Sequence, residues 1–347
     1  MAEVGILDET PARRLAALEA QRIVQRIATE SGWWRQLADQ AIAKIENRLI
    51  ERILISRLRA GLRAATSEEL AEATISKMRG AYTSGQMETL PSFLPRPKYA
   101  ISNAHGSYLD PASRPEYPAR VLYVPGGGFI FPISARQKTM MTRLAEQTDC
   151  EVVPGTHRLA PEHPFPAAAK DIAAQFIELT KSGDESPLFL GGDTAGASVV
   201  LGALQILIEE QVSPLPKGII LFSPWADLSL SGWSYITKSV TAESPFRMET
   251  AAFCARLYLG SHSANDPLAS PIFADQDTWP PLLIHTSEND LHFDDAMALA
   301  ENGLKRNVKV QVNYWDSPRH HLERLSSKDA ARSFSEVRSF IEAQLDP

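Results

Sequence analysis

The sequence predicts an α/β protein with a mostly parallel central sheet and helices on both faces of that sheet. Short apolar runs alternate with helix-like segments from Arg120 to the end of the chain. The runs are continuously apolar, which is typical of strands that are buried on both faces. Glycine and polar residues follow several of the runs, at the strand ends where such sheets bind their ligands.

Six strands are predicted, and they cover residues 120–124, 151–153, 187–190, 218–222, 282–286 and 308–312. The helical patterns between and after them cover residues 135–148, 167–179, 197–208, 295–305 and 327–345. An exposed edge strand near Val308–Val312 favours a homodimer, because unpaired backbone groups at a sheet edge can bind a second chain.

Residues 1–82 have a helical pattern that precedes the strands. Leucine and isoleucine recur there at spacings near 3.6 residues, as in amphipathic helices. Residues 84–118 are rich in proline and are interpreted as a loop and an edge strand. The N-terminal helices have three interpretations: they cover a pocket, bind a partner, or pack on the main domain and complete its core.

Composition narrows the class of protein. A chain of 347 residues with 44% apolar residues can bury a sizeable core, and its net charge of −7 argues against a nucleic-acid partner. The first residues do not resemble a signal peptide, and no apolar stretch approaches the ~20 residues of a membrane span. Cys150 and Cys254 are expected to be buried free thiols. We therefore expect a cytoplasmic protein. We also expect no metal or cofactor, since the sequence contains neither a metal-ligand cluster nor a dinucleotide-binding fingerprint.

The stretch Gly192-Asp193-Thr194-Ala195-Gly196 lies between a predicted strand and a predicted helix. Strand, tight glycine turn and helix are the context of a nucleophile elbow, G-x-S-x-G, with Thr194 where serine is usual. The two glycines let the strand and the helix approach closely, because a Cβ at either position would clash. Such a turn presents one hydroxyl beside the positive end of the helix, on a residue with positive φ.

Other candidate residues follow the first, fifth and sixth strands. The stretch Pro125–Phe129 contains three glycines, and it is either a plain glycine turn or a set of backbone N–H groups that bind an oxyanion. Asp290 is the candidate carboxylate after the fifth strand and Glu288 is a weaker alternative, whereas Asp294 and Asp295 are expected to cap the next helix. His320 and His321 follow the sixth strand, from which a histidine can reach back to the elbow.

Three longer motifs resemble the hormone-sensitive-lipase branch of the α/β-hydrolase family of carboxylesterases. They are His-Arg-Leu-Ala-Pro-Glu-His-Pro-Phe-Pro-Ala-Ala at 157–168, Ser-Pro-Trp-Ala-Asp-Leu at 223–228 and Asp-Pro-Leu-Ala-Ser-Pro at 266–271. The resemblance extends from about Arg120 to the C-terminus and implies an α/β-hydrolase fold. It also implies a helical N-terminal cap region at 1–95 and a catalytic domain at 96–347, with a cap insertion at about 230–262.

The resemblance implies a role for each candidate. Thr194 stands at the nucleophile position, Asp290 matches the acid and His320 matches the catalytic histidine. These three follow one another in the chain order expected of this family. The oxyanion hole is implied to be the backbone N–H groups of Gly127, Gly128 and Ala195.

The chain departs from the family pattern at Thr194 and at Pro125, which replaces the histidine before the three glycines. Smaller departures are His157 for tyrosine and Leu291 for proline. The first hypothesis is hydrolysis of a small or medium apolar ester, lactone or thioester through a Thr-His-Asp triad. The alternatives are a cyclase, isomerase or lyase of secondary metabolism that uses His320 and Asp290 as general base, a non-catalytic ligand binder, and an introduced substitution at position 194.

Overall fold

The computed structural model describes residue 79 and residues 118–241, 248–315 and 328–345. The helical pattern predicted for 1–82 lies outside this part of the chain except at Arg79. So do the proline-rich stretch up to residue 117 and the loop with His320 and His321. The predicted boundary between residues 95 and 96 also lies outside it, and the division into a cap region and a catalytic domain stays a prediction.

Six parallel strands form the sheet, as predicted. They are β1 (Arg120–Val124), β2 (Glu151–Pro154), β3 (Leu188–Asp193), β4 (Ile219–Phe222), β5 (Leu282–Ser287) and β6 (Val310–Trp315). Their order across the sheet is β2-β1-β3-β4-β5-β6, and all five pairings are parallel. The carboxyl ends of all six strands therefore lie at the same end of the sheet. Strand β6 is the outermost strand on one side.

Seven α-helices lie between and after the strands in the described ranges. They are α1 (Ala135–Thr148), α2 (Ala167–Thr180), α3 (Ala195–Glu209), α4 (Ser234–Thr241), α5 (Met248–Leu259), α6 (Phe293–Lys305) and α7 (Lys328–Leu345). Helices α4 and α5 occupy the stretch in which a cap insertion is predicted.

Both faces of the sheet are buried, which explains why its strands are continuously apolar. In β1, Val121 and Tyr123 pack in one apolar cluster with side chains of α1 and α7. Leu122 and Val124 point to the opposite face and pack in a second cluster with α2, α3, α5 and α6. This period-two division between two cores is the physical basis of the predicted α/β class, which is confirmed.

Strands β3 and β6 differ from the prediction by more than one residue. Strand β3 continues through Gly191 and Gly192, which pair with Tyr123 and Val124 of β1. The predicted strand at 308–312 begins later, at Val310, because the N–H of Val308 still donates to Gly303 O in the turn that closes α6 (2.9 Å). The β-propensities of glycine and valine do not predict these differences, because one depends on pairing with β1 and the other on a hydrogen bond in a turn.

Cys150 and Cys254 are free and buried, as predicted. Burial raises the pKa of the Cys150 thiol to about 11 and that of Cys254 to about 12, so neither is a reactive thiolate. Within the described ranges, no helix is long and apolar enough to cross a membrane. The same ranges hold no group of three histidine, cysteine or acidic side chains that could bind a metal ion.

Candidate active site

Thr194 is the single residue between β3 and α3, and its backbone has φ 50° and ψ −118°. The predicted positive φ is confirmed, and for a β-branched residue it costs on the order of 1–3 kcal/mol. Backbone hydrogen bonds hold this conformation. The N–H of Thr194 donates to Phe222 O, and its carbonyl accepts from Ala197 N and Trp225 N, each at 3.1 Å.

The glycines at 192 and 196 make this turn sterically possible. A Cβ on Gly196 would lie 2.0 Å from the carbonyl oxygen of Val124, at the end of β1. A Cβ on Gly192 would lie 2.8 Å from the backbone of Gly196. The predicted close approach of strand and helix is therefore confirmed, and it presses the first turn of α3 against the end of β1.

The glycine loop after β1 runs directly past Thr194, because a Cβ on Gly126 would lie 3.2 Å from the Cβ of Thr194. The Asp193 carboxylate accepts from Gly126 N and from the Tyr123 hydroxyl, each at 3.0 Å. On the other side, Gln137 Nε2 donates to Gly126 O (2.6 Å). These polar groups fix the loop in a chain that has proline where the related motif has histidine.

Gly127 and Gly128 turn the loop back on itself, with φ values of 148° and 56°. Ile130 and Phe131 both donate their N–H groups to Gly127 O, at 3.1 and 2.9 Å. No acceptor in the described part of the chain takes the N–H of Gly127, Gly128 or Ala195. These three N–H groups are the ones that the sequence predicts to bind a developing oxyanion, and that role stays a prediction.

Phe129, which follows the glycines, has φ 66° and is 2% exposed. Its ring stacks on Tyr258 of α5, with the ring centres 3.9 Å apart, and it also contacts Trp225 after β4 at 5.3 Å. Trp225 in turn stacks on His292 at 5.5 Å. One continuous row of rings therefore joins helix α5, the glycine loop and the loop that carries Asp290.

Asp290 lies in the turn after β5 and is 1% exposed. Its N–H donates to Ser287 O (2.9 Å), and its carboxylate accepts from His292 N (2.9 Å). Glu288, the weaker alternative, is exposed to solvent. Of the two acids, Asp290 has the buried position that an imidazole-orienting carboxylate requires.

The prediction that Asp294 and Asp295 cap helix α6 is wrong. His292 is the N-cap of that helix, and both acids lie inside its first turn. The Asp294 carboxylate accepts from Ser234 N at the start of α4 (2.9 Å). The Asp295 carboxylate accepts from Ala226 N, at 2.8 Å, and from the Tyr235 hydroxyl. These acids hold α4 and the loop after β4, partners that are far away in the sequence.

Asp295 belongs to a buried polar cluster. Its Oδ2 also accepts from Asp227 N (2.9 Å), and the Tyr235 hydroxyl lies 2.7 Å from Asp295 Oδ2 and 3.1 Å from His292 Nδ1. Burial and the nearby Asp227 raise the pKa of Asp295 well above its ordinary value. Burial, followed by the charge of Asp295, also raises the pKa of Tyr235. The sequence did not identify the structural roles of three residues near the site: Asp193, Gln137 and Tyr235. Of these, only Asp193 carried a signal, because a charged residue at the end of an apolar strand needs a buried partner.

His320 lies outside the described residues. Thr194 follows β3 and Asp290 follows β5, so both lie at the same end of the sheet, with β4 between the two strands. A surface cavity of about 570 Å³ lies elsewhere, around Phe273, Lys305 and Arg306. It is at the carboxyl end of α6, whereas the Asp290 loop is at the amino end of that helix.

The family described as alpha/beta hydrolase fold matches residues 121–323 of this chain. An acetyl-hydrolase of Streptomyces hygroscopicus is 32% identical over 203 residues, which are 58% of this chain and 67% of that protein. An esterase of Acinetobacter venetianus is 26% identical over 224 residues, covering 63% and 73% of the two chains.

Solved structures agree with the sequence relatives. A hormone-sensitive lipase from a metagenome library has a TM-score of 0.69 and 26% identity, over 86% of this chain and 99% of that chain. An esterase from the bacterial hormone-sensitive lipase family has a TM-score of 0.65 and 28% identity, over 87% of this chain and all of the other (100%).

Gly196→Ala should lower the free energy of unfolding by about 3 kcal/mol or more, because the new methyl group cannot fit beside Val124 O. Urea denaturation followed by circular dichroism measures this loss. Gly183→Ala is the matched control: Gly183 has φ 79°, but a methyl group there would have no atom within 4 Å, so about 1 kcal/mol is expected. Equal losses in the two variants would contradict the close approach at Gly196.

Asp295 should make stability depend on pH. Its pKa is raised in the folded state, so above about pH 4 the folded state binds more protons than the unfolded chain. Stability then falls as pH rises toward the raised pKa, by up to about 1.4 kcal/mol per pH unit.

Asp295→Asn removes this titration. We expect the stability of the variant relative to wild type to increase as pH is raised from about 4, measured by urea denaturation at a series of pH values. Asp277→Asn is the control, because the Asp277 side chain is 63% exposed and pairs with Arg306 at the surface. A difference between Asp295→Asn and wild type that stays constant over these pH values would refute the assignment.

Proposed function

Because the chain belongs to the alpha/beta hydrolase fold family, we propose that it is a carboxylic ester hydrolase. Its substrate is an ester, lactone or thioester of a small or medium molecule with an apolar acyl part. The observation that carries the proposal is the elbow, where Thr194 stands at positive φ and the glycine loop after β1 passes beside it. Relatives named acetyl-hydrolase and esterase support the same reaction class.

In the proposed mechanism, the hydroxyl oxygen of Thr194 attacks the acyl carbon and His320 accepts the hydroxyl proton. The resulting oxyanion receives hydrogen bonds from Gly127, Gly128 and Ala195. His320 then returns the proton to the leaving group, and water releases the acyl group by the same steps. Asp290 holds the tautomer of His320 that accepts a proton at the Thr194 side.

The position of β6 supports the role of His320. Strand β6 pairs with β5 along its length, and its last residue, Trp315, stands opposite Ser287. The last described residue of β6 therefore lies beside the end of β5, and His320 follows it by five positions in the sequence. Among the described residues, Asp290 is the buried carboxylate at that strand end.

Thr194 favours a second candidate function. A methyl group on the strained elbow residue restricts how its hydroxyl can point. In addition, Pro125 replaces the histidine that precedes the three glycines in the related motif. His320 and Asp290 would then act directly on a substrate proton, as in an isomerase, cyclase or lyase. A binder that keeps the pocket without catalysis is the third candidate.

Hydrolysis of short-chain p-nitrophenyl esters separates these candidates. With Thr194 as nucleophile, Thr194→Ala and His320→Ala should each lower kcat on the order of 10²–10⁴-fold. Asp290→Asn should also lower kcat, because His320 loses the partner that sets its tautomer. Thr194→Ser should raise kcat by roughly tenfold, since serine lacks the methyl group that restricts how the hydroxyl can be aligned for attack.

Thr180→Ala is the matched control, because Thr180 is a half-buried threonine whose hydroxyl donates to Ile177 O at the end of α2. It should leave kcat unchanged. A wild-type protein without activity and an active Thr194→Ser variant would favour direct action of His320 on a substrate. Hydrolysis that survives both Thr194→Ala and His320→Ala would overturn the triad.

We further propose a homodimer formed through the β6 edge, where Tyr314 is 58% exposed. Light scattering coupled to size exclusion should give twice the chain mass, and Tyr314→Lys should convert the dimer to a monomer. Leu304→Lys is the control, because Leu304 is equally exposed (59%) but lies on α6. A monomeric wild-type protein would refute this interface. The cytoplasmic location stays a prediction from the sequence.

A further inference from the structure

Arg79 is the one residue before Pro118 that the structure describes, and it contacts the site from outside the strand-and-helix domain. Its Nε donates to Ile130 O (2.5 Å), and its Nη2 donates to Ala160 O. Its Nη1 and Nη2 also donate to the two carboxylate oxygens of Glu162, at 2.6 and 3.0 Å. The side chain is 16% exposed.

The two carbonyl acceptors belong to segments that already bind each other. Ile130 closes the glycine turn, because its N–H donates to Gly127 O (3.1 Å). Ala160 donates its N–H to the carbonyl of Phe129 (3.1 Å), so the segment around Ala160 lies alongside the loop. Arg79 binds the carbonyl of Ile130, which follows Phe129, and the carbonyl of Ala160, and thereby cross-links the two segments at the end of the glycine turn.

The chemistry of this contact needs a guanidinium group. One planar fork reaches two backbone carbonyls and both oxygens of a carboxylate, which a lysine ammonium cannot do in the same geometry. Hydrogen bonding by Arg79 lowers the pKa of Glu162, which keeps that carboxylate ionised near neutral pH. Glu162 in turn fixes the plane of the guanidinium against the loop.

We propose that Arg79 is a positioning residue for the oxyanion-binding loop. By holding Ile130 O, it fixes the turn at Gly127–Ile130 and keeps the glycine N–H groups directed at the reacting oxygen. In this role Arg79 acts on the catalytic step through the loop and does not contact the substrate. The inference rests on the proposed function only in taking those N–H groups as oxyanion donors.

The experiment compares Arg79→Ala, Arg79→Lys and wild type in the full-length chain. For Arg79→Ala, kcat on a short-chain p-nitrophenyl ester should fall about 10- to 100-fold, because displaced donors stabilise the transition state poorly. KM should change by less than about twofold, since the donors act on the transition state rather than on bound substrate. Arg79→Lys should recover little of the loss.

Added guanidinium ion at millimolar concentration should partly restore kcat in Arg79→Ala but not in Arg79→Lys, whose side chain still fills the position. Arg338→Ala is the matched control. Arg338 also binds two carboxylates, those of Asp149 and Glu342, but it lies on α7. It should leave kcat unchanged and show no response to guanidinium.

Amide hydrogen exchange tests the same inference without any turnover. In Arg79→Ala, exchange in the peptide that contains residues 126–131 should be about tenfold faster or more, while β3 and β4 keep their protection. If wild type does not hydrolyse esters, the kinetic arm is run in the Thr194→Ser background, and the exchange result still decides the role of Arg79.

Two results would overturn the proposal. The first is unchanged exchange at 126–131 in Arg79→Ala. The second is a variant whose melting temperature falls while kcat per folded molecule stays at the wild-type value, because Arg79 would then only dock the N-terminal region. Faster exchange at 126–131 without catalysis in any background would instead contradict the proposed function. It would still support the inference that Arg79 holds the loop.

Discussion

The contact between Gly196 and the carbonyl of Val124 is the constraint on which the site depends. Because no side chain separates the first turn of α3 from the end of β1, the chain must reverse within one residue, Thr194. The same contact brings the glycine loop after β1 beside Thr194. One close approach between two backbones therefore creates the strained residue and brings Gly126 next to it.

The Asp193 carboxylate adds polar control to this steric constraint. It is fully buried and binds Tyr123 and Gly126, so it joins β1, β3 and the loop through one group. Gln137 holds the opposite side of Gly126. A proline can stand at position 125 because these hydrogen bonds use the backbone of Gly126 and require no donor from residue 125.

The sheet was predictable from the sequence because its signals are local. A continuously apolar strand such as β1, with helix-forming residues after it, needs no distant partner to be recognised. The carboxyl-end positions of Thr194 and Asp290 followed from the parallel order of the strands. The prediction was wrong where the role of a side chain depends on a partner that is distant in the sequence. Asp294 and Asp295 look like helix caps in sequence, yet Ser234 and Ala226 bind them across the loop after β4.

The backbone conformation of the elbow does not depend on the side chain of its central residue. The conformation of Thr194 is set by backbone hydrogen bonds to Phe222 and Trp225 and by the two glycines, none of which uses the threonine side chain. Serine and threonine therefore fit the same backbone and differ by one methyl group and its strain. Since the N–H groups of Gly127, Gly128 and Ala195 belong to the backbone, they too are independent of that choice. A change from hydrolysis to other chemistry on this scaffold thus requires no rearrangement of the sheet, the loop or the helix.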